Sequence, residues 1–539
     1  MGDFNARVGT KQIGEENILG MSCFGKRDKR GSMKKGLKEL NASKKWVPCL
    51  QESSQKNKKT FYRTEIVNIA TEFYKDLYSK KTMLQPSVLS SNHNNHNTVK
   101  RFTFNEIASM IKRLKKEKSS GPDGIPNEAI LAGKPTLVPL LTTLFNMILD
   151  TKTIPEEWAK SNIILLYKKG NPNCVSNYRP ISLQPTLYKL FASGIERRLA
   201  EYTEKHQPVE QAGFRSSFST TDHIHSLEIV IEKYQEMKRP LYLAFIDYAK
   251  AFDSISHDSI WRALNECEVP SEIINLIKDI YQKSKSKVIL DRAGPEIDIQ
   301  REKASQLQEM LKEIHLVSYT VGLELNTSKT KIMTNSIEIP IKINNAPIEY
   351  VQDYVYLGKQ ISFKKTRHKE ELNRRINTAW KKFWSLKEIL KSNAPIRLKK
   401  KVMDSCILPS LTYASQTWIY NKFTKNKIIT TQRAMERSVL RLRLKHKKKS
   451  TDIRHITNVI DALTHCKKLK WKWAGHVARM NENRWAKIVT LWQGPMGKRN
   501  RGRPADRWLD EILKIAGKNW TEKAKDRKVW TSMEEAFTL

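Results

Sequence analysis

An α+β chain organised in more than one domain is what the sequence predicts, on three observations. The run from Leu241 to Ile246 is short, apolar and rich in strand formers, and it stops abruptly on Asp247. A buried strand that delivers a carboxylate at its C-terminal end reads this way. Apolar residues recur elsewhere at helical spacing, as in Phe61, Ile66, Ile69, Phe73 and Leu77. At 539 residues and 39% hydrophobic, the chain is too long for one ordinary core and apolar enough to build two or three.

A formal net charge of +41 makes polyanions, and nucleic acid first, the partners to consider. A solvated lysine-rich surface is the plainer alternative. The six cysteines (Cys23, Cys49, Cys174, Cys267, Cys406 and Cys466) are scattered without a CxxC pair, which fits a reduced compartment. No run approaches the ~18 apolar residues of a membrane span. The polar start Met1-Gly2-Asp3-Phe4-Asn5 is unlike a signal peptide. Nucleus or cytoplasm, with no membrane partner, is the expectation.

Taken in order, residues 26–59 are dense in Lys, Ser and Asn and predict a mobile basic linker. A helix is expected over 60–78, then a polar, low-complexity loop over 87–98. A second helix is expected from Phe104 to Leu114, followed by a tight turn at Ser119-Ser120-Gly121-Pro122-Asp123-Gly124. A helix over 137–150 leads into a strand over 162–167. Lys168-Lys169-Gly170 and Ser176-Asn177-Tyr178-Arg179-Pro180-Ile181 come next, and then Gln211-Ala212-Gly213-Phe214-Arg215 with Ser219-Thr220-Thr221-Asp222. Thr220 or Thr221 also suits a helix N-cap. Past Asp247 a helical pattern picks up through His257 and Trp261, then a helix over 273–281 and a strand over 287–290.

Together these segments resemble, in order, the motifs of reverse transcriptases of non-LTR (LINE-type) retrotransposons. The resemblance implies a right-hand polymerase fold with mostly helical fingers and thumb. It implies RNA-directed DNA synthesis with an RNA template, a DNA primer, dNTPs and Mg²⁺. In that family the aspartate matching Asp247 binds the catalytic metals, and the aromatic matching Phe252 excludes ribonucleotides. Lys168, Lys169 and Arg179 would hold the triphosphate, although a basic β-turn is their plainer reading. Gln211, Gly213, Phe214 and Arg215 would orient the template. Lys329, in Gly322–Lys331, would protonate pyrophosphate, and Leu357 and Gly358 match the primer-grip turn. Asp247 taken singly also suits a strand-end helix cap. The opening Gly2-Asp3-Phe4-Asn5 resembles a motif of the endonuclease/exonuclease/phosphatase fold, with Asp3 and Asn5 expected to be vestigial.

One family segment is missing. The hairpin ending at Gln300 is expected to run into a GVRQG-like loop and a strand carrying Ala-Asp-Asp. This chain continues instead with Arg301-Glu302-Lys303-Ala304-Ser305 and a predicted helix over 307–317, and it contains no Asp-Asp dipeptide. Two-metal phosphoryl transfer needs carboxylates that hold two ions ~3.5–4 Å apart. Asp253 and Asp258 are read as helix-start and surface residues. Glu302 or Glu309 would have to stand in for a lost strand. The expectation is a truncated, internally deleted and catalytically defective copy that keeps non-specific RNA and DNA binding. A mis-joined gene model, an active enzyme with another carboxylate, and a poorly folded relic are the alternatives.

From residue 361 onward, 44 Lys and Arg stand against 15 Asp and Glu, so this third carries +29 of the charge. Trp380, Phe383, Trp384, Trp471 and Trp473 interleave with its basic clusters. Arg501-Gly502-Arg503-Pro504 has the core of a minor-groove hook. Lys447-Lys448-Lys449 suits either nuclear targeting or a phosphate-binding face. His455, His465, Cys466 and His476 lack zinc-site spacing. The expected divisions are 1–25 (endonuclease remnant), 26–100 (linker and helix), 101–240 (fingers), 241–360 (incomplete palm) and 361–539 (thumb-like basic region).

Overall fold

The computed structural model describes residues 47, 49–51, 59–79, 99–168, 170–249, 255, 257–290, 293–298, 324–326, 329–343, 346–499 and 506–538. Its contacts group into two units that interleave along the chain. Apart from residues 1–2, the first takes 3–207 and 248–325, and the second takes 208–247 and 326–539. The expected helix over 307–317 and the polar tract 87–98 lie outside the described residues.

In the first unit, strand Lys160–Tyr167 pairs antiparallel with Tyr178–Leu183 and parallel with Lys285–Ile289, which pairs antiparallel with Ala293–Asp298. Alternation is what makes Lys160–Tyr167 a half-buried strand: Ser161, Ile163 and Leu165 point inward. Helix Arg63–Ser79 covers that face with Ile66, Ala70, Tyr74 and Tyr78. It lies so close that a Cβ on Gly294 would sit 2.5 Å from Thr71 Oγ1. Val47 and Leu50 are buried in the same cluster, and Leu50–Gln51 pairs with Lys59–Thr60. The linker expected over 26–59 is therefore anchored at this point. Two apolar residues within a lysine-rich stretch suffice to dock the backbone, and composition averaged over the stretch hides them.

A helical cluster completes this unit. Helices Phe104–Lys112, Lys134–Thr151, Thr186–His206 and Ser271–Gln282 enclose edge-to-face rings, with Phe145 5.1 Å from Phe191 and 5.6 Å from Phe102. Arg198 sits beneath, 3.8 Å from the Phe102 ring centroid and forked onto Glu106 at 2.9 and 3.2 Å. The glycine turn has a structural role here. Asp123 accepts the Thr186 N–H at 3.1 Å, at the start of helix Thr186–His206. A Cβ on Gly121 would collide with the Gln184 carbonyl at 2.3 Å.

The second unit is built around helix Thr220–Glu236. Its N-cap is Ser219, not either threonine: the Asp222 carboxylate accepts from both Ser219 N and Oγ at 2.8 Å. Thr221 Oγ1 is instead taken by Gln416 Nε2 at 2.9 Å. Residues far along the chain grip the helix. Arg484 pairs with Asp222 at 2.6 Å, Lys233 donates to the Val489 carbonyl at 2.7 Å, and Glu232 accepts the Trp508 N–H at 2.9 Å. Beside it lies a tryptophan core in which Trp471 and Trp530 stack at 4.0 Å and exchange indole-to-carbonyl hydrogen bonds. Phe383, Trp471 and Trp473, which interleave with basic clusters in the sequence, are buried and form core.

Fully buried charge is concentrated in this unit. Glu228 meets Lys359 at 2.9 Å and Arg367 at 3.7 Å, and Lys359 also donates to Thr417 Oγ1 at 2.8 Å. Burial pushes the Glu228 carboxyl up, but Lys359, Arg367 and His368 together pull it down to about 2. His225 lies 4.5 Å from Trp508 and within hydrogen-bonding distance (2.8 Å) of Thr490 Oγ1. Burial first, then Lys359 and Lys470, lower its pKa to about 3. Burial and Arg367 lower His368 likewise to about 3.

Unfolded imidazoles take a proton near pH 6.5, whereas these two resist until about pH 3. The stability they contribute is therefore complete above pH 6.5 and drains as pH falls towards 3. Each histidine accounts for up to about 1.4 kcal/mol per pH unit in that window. Urea midpoints measured at pH 7.5, 6 and 5 should fall steadily; a flat profile would contradict neutral burial of His225 and His368.

Candidate functional site

Strand Tyr242–Phe245 runs antiparallel to Lys331–Thr334, with Phe245 opposite Lys331. Phe245 is buried and stacks on Tyr354 at 4.4 Å. That anchor fixes where the chain leaves the strand, and Asp247 follows two residues later. The Asp247 carbonyl accepts the Asn326 N–H at 2.7 Å. Asn326 in turn closes a turn at Lys329, its carbonyl accepting from Lys329 N at 3.0 Å and Thr330 N at 2.8 Å. This turn swings Lys329 back so that Nζ lies 2.9 Å from Asp247 Oδ2. Two residues singled out from sequence, 82 positions apart, thus meet as an ion pair.

Asp247 and Lys329 side chains remain 42% and 48% exposed. An ion pair that wet contributes at most about 1 kcal/mol. A catalytic divalent ion would need further oxygen donors beside Asp247. Among the described residues no three His, Cys, Asp or Glu side chains come together as a metal site. The donor set described around Asp247 therefore does not fit a two-metal centre. The strand has one partner among the described residues, and Tyr242 on it and Ile246 just past it are exposed.

In the first unit, Lys168 and Arg179 sit on the hairpin formed by Lys160–Tyr167 and Tyr178–Leu183. Arg179 lies opposite Leu166, so it shares a face with Lys168, two residues beyond, and both are exposed. The turn is built for glycine: Gly170 has φ +95°, and a Cβ there would meet Asn177 at 2.8 Å. Lys168 N donates to the Asn177 carbonyl at 3.0 Å.

In the second unit, the 211–215 segment is a self-bonded turn. Gln211 Nε2 donates to the Gly213 carbonyl at 3.2 Å, and Arg215 donates to the Pro208 carbonyl at 2.8 Å. Phe214, at φ +61° and 95% exposed, is the side chain this turn presents to solvent. Leu357 (φ +45°) and Gly358 (φ +82°) form the tight turn between Asp353–Tyr356 and Lys359–Ser362. Their carbonyls accept from Tyr413 Oη and Arg374, each at 2.6 Å. Sequence reading passed over Tyr413, whose only signal is an aromatic far from the motif. Lys169, Phe252, Asp3, Asn5, Arg501, Gly502 and Arg503 lie outside the described residues.

Comparison with known proteins fits this arrangement of motifs. Residues 166–295 match the model of the reverse transcriptase (RNA-dependent DNA polymerase) family. An uncharacterized transposon-derived protein of Caenorhabditis elegans is 33% identical over 244 residues, which are 42% of this chain and 87% of that protein. Two Drosophila melanogaster proteins follow. The RNA-directed DNA polymerase from transposon BS is 32% identical over 194 residues, and that from mobile element jockey 28% over 192. The chain belongs to the reverse transcriptases of non-LTR retrotransposons. Each Drosophila match covers 35% of this chain and only about a fifth of the polymerase, 20% and 21%. The match to the reverse transcriptase family ends at residue 295, just before the junction at Gln300–Arg301.

The two ion pairs of this reverse transcriptase chain differ in environment and should differ in worth. Lys329→Ala is expected to change unfolding free energy by no more than about 1 kcal/mol. Glu228→Gln, which leaves Lys359 charged and buried, should cost about 3–5 kcal/mol. Equal effects in calorimetry would contradict the contrast drawn from burial.

Proposed function

We propose that the chain is a catalytically defective reverse transcriptase domain that still binds RNA and DNA. The observation that carries this reading is the setting of Asp247: its carboxylate faces Lys329, and among the described residues it belongs to no group of three His, Cys, Asp or Glu side chains. The end of the family match at residue 295 supports it, as does the absence of an Asp-Asp dipeptide from the sequence. Nucleic-acid binding rests on the family and on the net charge of +41. We assign residues 101–240 to fingers, 241–360 to an incomplete palm, and 361–539 to a thumb-like basic region, with 1–25 as an endonuclease remnant. Template RNA, DNA primer and dNTPs are the ancestral ligands, and nucleus or cytoplasm is the proposed location. A working polymerase would need a companion carboxylate from outside the described residues, such as Asp253, Glu302 or Glu309.

The test pairs activity with binding. With template RNA, DNA primer, dNTPs and Mg²⁺, extension should equal that of Asp247→Asn. Affinity for the same template–primer should fall about 10³–10⁵-fold between 50 and 200 mM salt if ~6–10 phosphates are contacted. Extension that depends on Asp247 would replace this reading with that of an active enzyme.

A further inference from the structure

In the second unit, a cleft of about 520 Å³ opens at the C-terminal end of helix Lys422–Val439, and Lys391, Arg437, Arg441 and Arg443 line it with no carboxylate. Lys399 lies buried beside them and donates to the Val439 carbonyl at 3.4 Å. Burial, then Arg441 and Lys391, hold its ammonium below the usual lysine range. The only acid on the helix, Glu436, is committed elsewhere, to Arg433 at 2.9 Å and Arg454 at 3.2 Å. Cations at a helix C-terminus ordinarily offset its partial charge of roughly −0.5. Five cations exceed that need several-fold, so the cleft holds uncompensated positive charge.

Arg441 strengthens the case. It occupies the left-handed position of the helix-ending turn at φ +57°. Leu442 N donates to the Arg437 carbonyl at 2.9 Å, and Arg441 N to that of Ser438 at 3.2 Å. Glycine is the usual residue at this position. Here the position holds an arginine, one of the four cations that line the cleft. An aromatic borders the same cations. Trp384 is 51% exposed, and Lys391 Nζ lies 5.8 Å from its ring centroid. Arg441 Nε donates to the Lys391 carbonyl at 3.1 Å, which ties cleft and ring together.

We propose that this cleft and Trp384 form a binding site for single-stranded nucleic acid. Phosphates lie among Lys391, Arg437, Arg441 and Arg443, and an unpaired base stacks on Trp384. Exposed ring plus cationic groove is how sequence-tolerant single-strand binding works, and a base locked in a duplex cannot reach the ring. The inference rests on the nucleic-acid-binding reading above and gives it a place and a strand preference.

The test uses the full chain and labelled oligonucleotides of about 16 nucleotides: single-stranded RNA, single-stranded DNA, and a duplex. Arg441→Gly keeps the left-handed turn without a Cβ but gives up the hydrogen bond to the Lys391 carbonyl, so its thermal transition should move little. Its single-strand affinity should nevertheless drop about tenfold, with the salt slope reduced by about 0.7 per lost phosphate contact. Trp384→Ala should lose a similar factor for single strands, with the salt slope and duplex affinity unchanged. Lys528→Gln, an exposed cation elsewhere, should have little effect and controls for loss of charge alone. RNA and DNA arms should respond equally, since phosphate and ring face do not read the 2′-hydroxyl. If the parent binds and both cleft variants bind as it does, or if only duplex binding suffers, the site is refuted and general binding stands. If the parent binds none of the three, the broader reading falls with it.

Discussion

The buried pair of Glu228 and Lys359 is the interaction on which the second unit depends. Glu228 lies on helix Thr220–Glu236, Lys359 begins the second strand of the hairpin after the Leu357-Gly358 turn, and Arg367 opens helix Arg367–Ser385. A helix is tied at one buried point to two elements more than a hundred residues further along the chain. Desolvation makes such a pair costly to form and far costlier to break, so each partner constrains the others to stay. The motif helix and the hairpin are thus held together whether or not Asp247 does chemistry, and the fold can outlast the loss of catalytic carboxylates.

Magnitudes then decide what the Asp247–Lys329 pair means. A half-exposed ion pair is too weak to keep a divalent cation away from a complete carboxylate cluster. The lysine by itself is no barrier to metal binding. What counts against a metal centre is that no three His, Cys, Asp or Glu side chains come together there among the described residues. One carboxylate cannot hold two ions, and lysine becomes its best available partner.

Much of the scaffold was legible because it obeys simple periodicities. The strand expected over 162–167 is found at Lys160–Tyr167, the helix expected over 137–150 at Lys134–Thr151, and the strand before Asp247 at Tyr242–Phe245. Asp247 and Lys329 were singled out separately, and only the turn at Asn326 shows that they touch. Other features depend on contacts that no local pattern encodes. Ser219 takes the cap because Asp222 sits three residues on and bonds back to it. Trp471 and Trp473 sit in a lysine-rich stretch, yet they are core because residues past 500 fold over them. The cationic cleft joins Lys391 to Arg437 and Arg441, residues too far apart for a sequence window to connect.

Whether Asp247 holds a catalytic metal is tested most directly by Mn²⁺ binding followed by electron paramagnetic resonance, with Asp247→Asn as the comparison. Mn²⁺ takes the oxygen ligands that suit Mg²⁺ and reports occupancy without any need for turnover. Identical, weak titrations are expected for parent and variant, with or without a dNTP. A tight Mn²⁺ site that disappears in Asp247→Asn would contradict the catalytically defective reading and restore the chain to the working polymerases.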